Sequence, residues 1–161
     1  MKDRPLSLII LATLLCIALP VSATTDTFSN NYIPKITFSH FSTNEGLSQS
    51  TVVSSCQDKF GRMWFATHDG LNMFDGHRFT IYKNVQKDST SLINNIIRHV
   101  YCDNEGDIWI GTEKGLSYYD ITKDSFRNFP TQNRPVSGIA KAGDEELMIA
   151  AGGNILFFDT D

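Results

Sequence analysis

An 18-residue block occurs twice in this chain, 45 positions apart and without a gap: Asp58 to Asp75, and Asp103 to Asp120. Seven positions are identical: Asp58/Asp103, Gly61/Gly106, Trp64/Trp109, Thr67/Thr112, Gly70/Gly115, Leu71/Leu116 and Asp75/Asp120. The chain's only two Trp residues fall at the same register. A fixed period of about 40–50 residues marks a solenoid or a propeller, in which one supersecondary unit stacks on the next.

Each copy reads as four short strands separated by turns. In the first, Thr51 to Gln57, Arg62 to Thr67, Leu71 to Phe74 and His77 to Tyr82 are strands. Asp58-Lys59-Phe60-Gly61 and His68-Asp69-Gly70 are turns, and Asp75-Gly76 is a two-residue hairpin signal. The second copy gives Ile96 to Cys102, Asp107 to Thr112, Leu116 to Tyr119 and Ser125 to Phe129, with a longer last turn at Ile121-Thr122-Lys123-Asp124. A third, degenerate copy begins near Val136. Met148 to Asp159 aligns with Trp109 to Asp120 at a spacing of 39, with Asn154 standing for Gly115 as a residue that tolerates a left-handed turn.

The expected fold class is therefore all-β: a partial, open β-propeller of about three four-stranded antiparallel blades, preceded by a signal-peptide helix. The divisions are 1–23 signal peptide, 24–49 N-terminal segment with an opening strand, 50–93 first blade, 94–133 second blade, and 134–161 incomplete third blade. Both faces of the blades are apolar, so each needs a neighbour to cover it. Trp64 and Trp109 are read as packing anchors between blades, the alternative being exposed stacking platforms for sugar. Asp58, Asp103, Thr67 and Thr112 are read as holding local backbone in turns. The alternative of a calcium site at these Asp residues lacks the dense acidic spacing such a loop needs.

The first 23 residues have the pattern of an export signal. Lys2 and Arg4 form a basic head, Leu6 to Leu19 is an almost unbroken apolar run, and Val21-Ser22-Ala23 fits a cleavage site. Retention as a membrane anchor is the alternative, and Cys16 would mark a lipoprotein were a small residue to precede it. Cleavage after Ala23 leaves 138 residues with 12 basic and 17 acidic side chains, once Lys2, Arg4 and Asp3 are taken from the totals of 14 and 18. No basic cluster remains to track a phosphate backbone, which argues against nucleic acid as a partner. Cys56 and Cys102 remain, 46 apart and thus one residue off the repeat, so strand alternation points them to opposite faces of their blades. The expectation drawn from this is two separate buried thiols rather than a bridge.

These residues resemble a known family. Gly46-Leu47-Ser48, Val52, Asp58-x-x-Gly61-x-x-Trp64-x-x-Thr67, Gly70-Leu71-Asn72 and Phe74-Asp75-Gly76 are similar to the periplasmic regulator-propeller repeats of bacterial hybrid two-component sensors, and Phe38 to Phe41 resembles their opening strand. The resemblance implies the N-terminal fragment of an extracytoplasmic sensor domain, exported to the periplasm, whose full-length form is anchored in the inner membrane. It implies an oligosaccharide ligand, the remaining propeller blades and a second copy of the full-length sensor as partners. The last blade would recruit Ile36 to Phe41 to close the ring. The kinase would lie beyond this sequence, so the chain itself is not expected to be an enzyme and no cofactor is expected. A streptogramin-lyase-like propeller fragment, and a nonfunctional remnant or interaction scaffold, are the alternative readings.

No catalytic or metal-binding residues are assigned. His40, His68, His77 and His99 lack Ser/His/Asp, Cys/His or HxxxH spacing. Ligand-binding residues stay unassigned as well. The loops opening on one common face are the expected lining for any ligand: His68, Asp69, Glu113, Lys114 and the connection Lys83 to Ser91.

Overall fold

Strand-forming sequence and turn chemistry alternate along the chain, and the computed structural model, which describes residues 36–160, follows them closely. The first sheet contains β1 (Val52–Gln57), β2 (Met63–Thr67), β3 (Gly70–Phe74) and β4 (Phe79–Tyr82), in that order. The second contains β5 (Ile97–Cys102), β6 (Ile108–Thr112), β7 (Gly115–Asp120) and β8 (Ser125–Pro130), again in chain order. The third contains β9 (Val136–Lys141), β10 (Glu146–Ala151) and β11 (Asn154–Asp159). All pairings are antiparallel. The basic head, apolar run and cleavage site lie outside the described residues.

Within the unit Ser39–Asp161 the sheets stand as successive blades, with β1 beside β5 and β5 beside β9. Each inner strand slips register at one place: between Val52 and Ser54, between Ile97 and His99, and between Val136 and Gly138. A bulge adds local twist to the strand that carries it. Its recurrence at repeat-equivalent positions makes it part of the blade design.

Two cores fill the spaces between blades. In the first, Trp64, Ala66, Leu71 and Met73 pack on Ile97, Val100, Ile108, Ile110, Tyr119 and Phe126. In the second, Trp109 and Leu116 pack on Val136, Ile139, Leu147, Ile149 and Ala151. Trp64 is 0% and Trp109 5% exposed, so both are packing anchors and neither offers a stacking face to solvent.

The cysteine expectation is overturned. Cys56 on β1 and Cys102 on β5 form a disulfide, with Cα atoms 5.8 Å apart. Their side chains do leave opposite faces of equivalent strands. In a stack of like blades, however, the right face of one meets the left face of the next, and so opposite faces are the two that touch. Both cysteines border the first interblade core.

Three local expectations also change. Asp75-Gly76 does not close a two-residue hairpin: Asp75 Oδ1 accepts from the amides of both His77 and Arg78, and β4 starts only at Phe79. Asn154 does not take the left-handed turn position, because Gly152 (φ 57°) and Gly153 (φ 81°) carry it and leave Asn154 to open β11. Residues 36–42 form no strand. Ser42 and Glu45 make a reciprocal capping box that winds Thr43–Glu45 into a 3-10 turn. Phe41 then packs on the rings of Phe74 and Phe79, held by contact rather than by a ladder.

The far side of the third blade is apolar and open: Met148, Ile155 and Phe157 are exposed, the last two by about two thirds. Such a patch favours association. Produced by itself, this chain should bind an apolar dye and self-associate, and the double variant Ile155→Ser/Phe157→Ser should reduce both in fluorescence and sedimentation measurements. Unchanged dye binding would show that this face is not the sticky one.

Candidate functional site

The β2–β3 and β6–β7 turns and the links between blades lie at one common end of the strands, while the β1–β2, β3–β4 and β5–β6 turns lie at the other. The two ends are built by different means. At the second end Asp58 Oδ1 accepts from the amides of Phe60 and Arg62 at 2.9 and 3.0 Å. Asp103 Oδ1 does the same for Gly106 and Asp107, at 2.8 Å each.

Asp58 also does something that the turn reading missed. Its Oδ2 accepts from Trp64 Nε1 at 2.9 Å and from Arg62 Nε at 2.7 Å, and its side chain is only 1% exposed. Burial pushes the Asp58 carboxyl up, but the indole, guanidinium and backbone donors together outweigh it and leave the pKa below the ordinary carboxylate value. Asp103 has no indole partner, and there burial prevails and raises the pKa. Arg62 stands over the rings of Phe60 and Trp64 at 5.3 and 5.5 Å, which completes a cap on the first interblade core.

At the first end, the link end, Thr67 Oγ1 donates to Gly70 O at 2.8 Å and accepts from Asp69 N at 3.1 Å; Thr112 repeats this with Gly115 O and Lys114 N. Gly70 and Gly115 have φ of 116° and 152°. A Cβ on either would meet the carbonyl of Tyr82 or Phe129 at 2.7 or 2.5 Å, which fixes glycine there.

All the expected lining residues do lie at this end, but most are engaged structurally. Asp69 pairs with Lys83 at 2.8 Å, Glu113 pairs with Arg98 at 2.6 Å, and His68 N donates to Gln49 Oε1. The link between blades is a built loop. Asn84 Nδ2 donates to Leu92 O, Ser91 Oγ accepts from Val85 N, and Asn128 Nδ2 donates to the carbonyls of Ser89 and Ser91. Between this loop, the β6–β7 turn and the end of β8 lies a cleft of 580 Å³, lined by Asn84, Gln86, Lys87, Ser89, Lys114 and Asn128 among others. It has room for a ligand. Among the described residues no group of His, Cys, Asp and Glu side chains is arranged to hold a metal ion.

Residues 46–69 and 91–114 match the family model described as two component regulator propeller. These two stretches are thus similar to two component regulator propeller repeats. Each runs from the anchor that enters a blade, Leu47 or Leu92, both buried, through the Trp strand to the next turn. A 55-residue stretch is 54% identical to Histidine kinase P4 of Formosa agariphila, covering 34% of this chain and 4% of that protein. The structure is similar to an extracellular domain from B. thetaiotaomicron described as belonging to the hybrid two component system BT4673. That match has a TM-score of 0.55 and 25% identity, over 68% of this chain and 16% of that one. The chain thus spans a small part of the length of the relatives it matches.

Proposed function

We propose that this chain is the opening part of the extracytoplasmic sensor module of a two-component signalling protein, and that the module responds to oligosaccharides. The observation that carries the reading is the pair of regulator-propeller repeats, folded as packed blades, together with the close similarity of one stretch to a histidine kinase. The Cys56–Cys102 disulfide supports a location outside the cytoplasm, since such bonds persist in oxidising compartments. The propeller itself is a binding scaffold. Phosphoryl transfer belongs to the kinase part of such proteins, and the role of these blades is to change conformation or association when ligand is present.

The test is made in cells that carry the complete gene. Feeding a panel of oligosaccharides should induce transcription of the genes under its control, and in-frame removal of residues 50–161 should abolish that induction while leaving the protein in the membrane. Induction that persists without these blades would refute the sensor role.

A further inference from the structure

We infer that the link-end corner of the second blade is an anion site, which takes the carboxylate or sulfate groups of an acidic oligosaccharide. This rests on the sensor reading above and specifies its ligand. The inference comes from comparing two equivalent corners. Leu71 pairs with Tyr82 and Leu116 with Phe129, so Lys83 and Pro130 occupy the same place in successive blades, as do Asp69 and Lys114. In the first blade this corner is closed by the Lys83–Asp69 ion pair at 2.8 Å. In the second blade the acid has become Lys114 and its partner Pro130. The charge is inverted and the counter-charge is gone.

Lys114 is exposed and has no ion pair among the described residues, whereas Lys123 and Lys141 at the opposite end pair with Asp120 and Glu105. It shares the 580 Å³ cleft with Lys87, also exposed and without an ion pair among the described residues. Lys87 sits at φ 70°, a left-handed position that turn chemistry would give to Gly or Asn. The loop holds it there: Asp88 N donates to Val85 O, and Ser91 Oγ ties both Val85 and Asp88. A lysine in that place serves the cleft better than it serves the turn.

One carboxylate, Asp88, lines the same cleft and stays ionised, its Oδ1 accepting from Thr90 N and Oγ1 at 2.9 and 2.6 Å. The two lysines therefore leave a net positive charge there, while Glu113 is held by Arg98. Gln86 and Ser89 line the same cleft and make no side-chain hydrogen bond among the described residues, which leaves them for hydroxyl groups. Two cations and free polar groups in an open trough suit a hydroxylated chain bearing acidic groups.

The test is calorimetric titration of the disulfide-bonded chain with three probes: tetragalacturonate, a sulfated tetrasaccharide and neutral cellotetraose, each at low and at physiological ionic strength. One or both acidic probes should bind, less tightly as salt screens the lysines, and the neutral one should not. Which acidic probe binds tells carboxylate from sulfate. Lys114→Ala and Lys87→Ala should each weaken binding about tenfold, as loss of a charged hydrogen-bond partner does. The pair Lys114→Asp/Pro130→Lys, which copies the first blade's corner, should abolish binding at an unchanged melting temperature. Neutral sugar bound with lysine-independent affinity, or no binding of either acidic probe, overturns the anion site; the sensor reading falls only if the response in cells fails.

Discussion

Reduction of the Cys56–Cys102 disulfide should lower the stability of this chain by about 4 kcal/mol. The bond closes a loop with a sequence separation of 46 residues, and the chain-entropy model assigns a cross-link of that length about this value. Against the 5–15 kcal/mol typical of a whole domain, that is a large share. The bond ties β1 of the first blade to β5 of the second, so its loss also frees the strands at which the two blades meet. Urea unfolding of oxidised protein and of the Cys56→Ser/Cys102→Ser variant should show midpoints well apart. Protein made in a reducing cytoplasm should resemble the variant. Coincident midpoints would mean that blade packing alone sets the stability.

This bond also shows where reading the sequence stopped. That the two cysteines leave opposite faces followed from the 46-residue spacing and was right. What a single strand cannot show is that the faces of neighbouring blades alternate, so that opposite outward directions converge. The architecture itself was legible, because seven identities at one period include both Trp residues and the glycines whose Cβ would strike a neighbouring strand. The Asp and Thr turn roles were legible for the same reason: they are short-range, and each acceptor lies within a few residues of its donors.

The misses concern alternatives that local sequence leaves balanced. Asn154 tolerates a left-handed turn, but two preceding glycines accept it at less cost. Phe38 to Phe41 resembles the opening strand of regulator-propeller sensor domains, yet the Ser42–Glu45 capping box sets the conformation just after it. The candidate site was legible only in part. The residues named do lie at one end of the blades, but which of them are engaged and which are free depends on pairs such as Lys83–Asp69 and Arg98–Glu113, 14 and 15 positions apart. One signal was available in the alignment of the repeats: Asp69 facing Lys114 at one position is a charge reversal within an otherwise matched block.

The two Trp residues separate structural equivalence from energetic equivalence. Both are buried anchors at one register, so truncation of either to Ala should cost about 3–5 kcal/mol, the usual range for a large core side chain. Replacement by Phe should part them. Trp64→Phe removes the donor to a nearly fully buried carboxylate and should cost about 1–3 kcal/mol more than Trp109→Phe, which breaks no such bond to Asp103. The difference should depend on pH with a definite sign. The Asp58 pKa is lowered in the folded state, so the stabilisation by its donors is present above the unfolded value of about 3.9 and is lost as pH falls through the lower folded value. The gap between Trp64→Phe and Trp109→Phe should therefore be widest near neutrality and shrink toward the acid limit, where Asp58 is protonated in both states. Urea midpoints of the two variants measured across the acid range test this directly. A gap independent of pH, or penalties that match at neutrality, would show that the Trp64–Asp58 bond contributes no more than the packing both rings share.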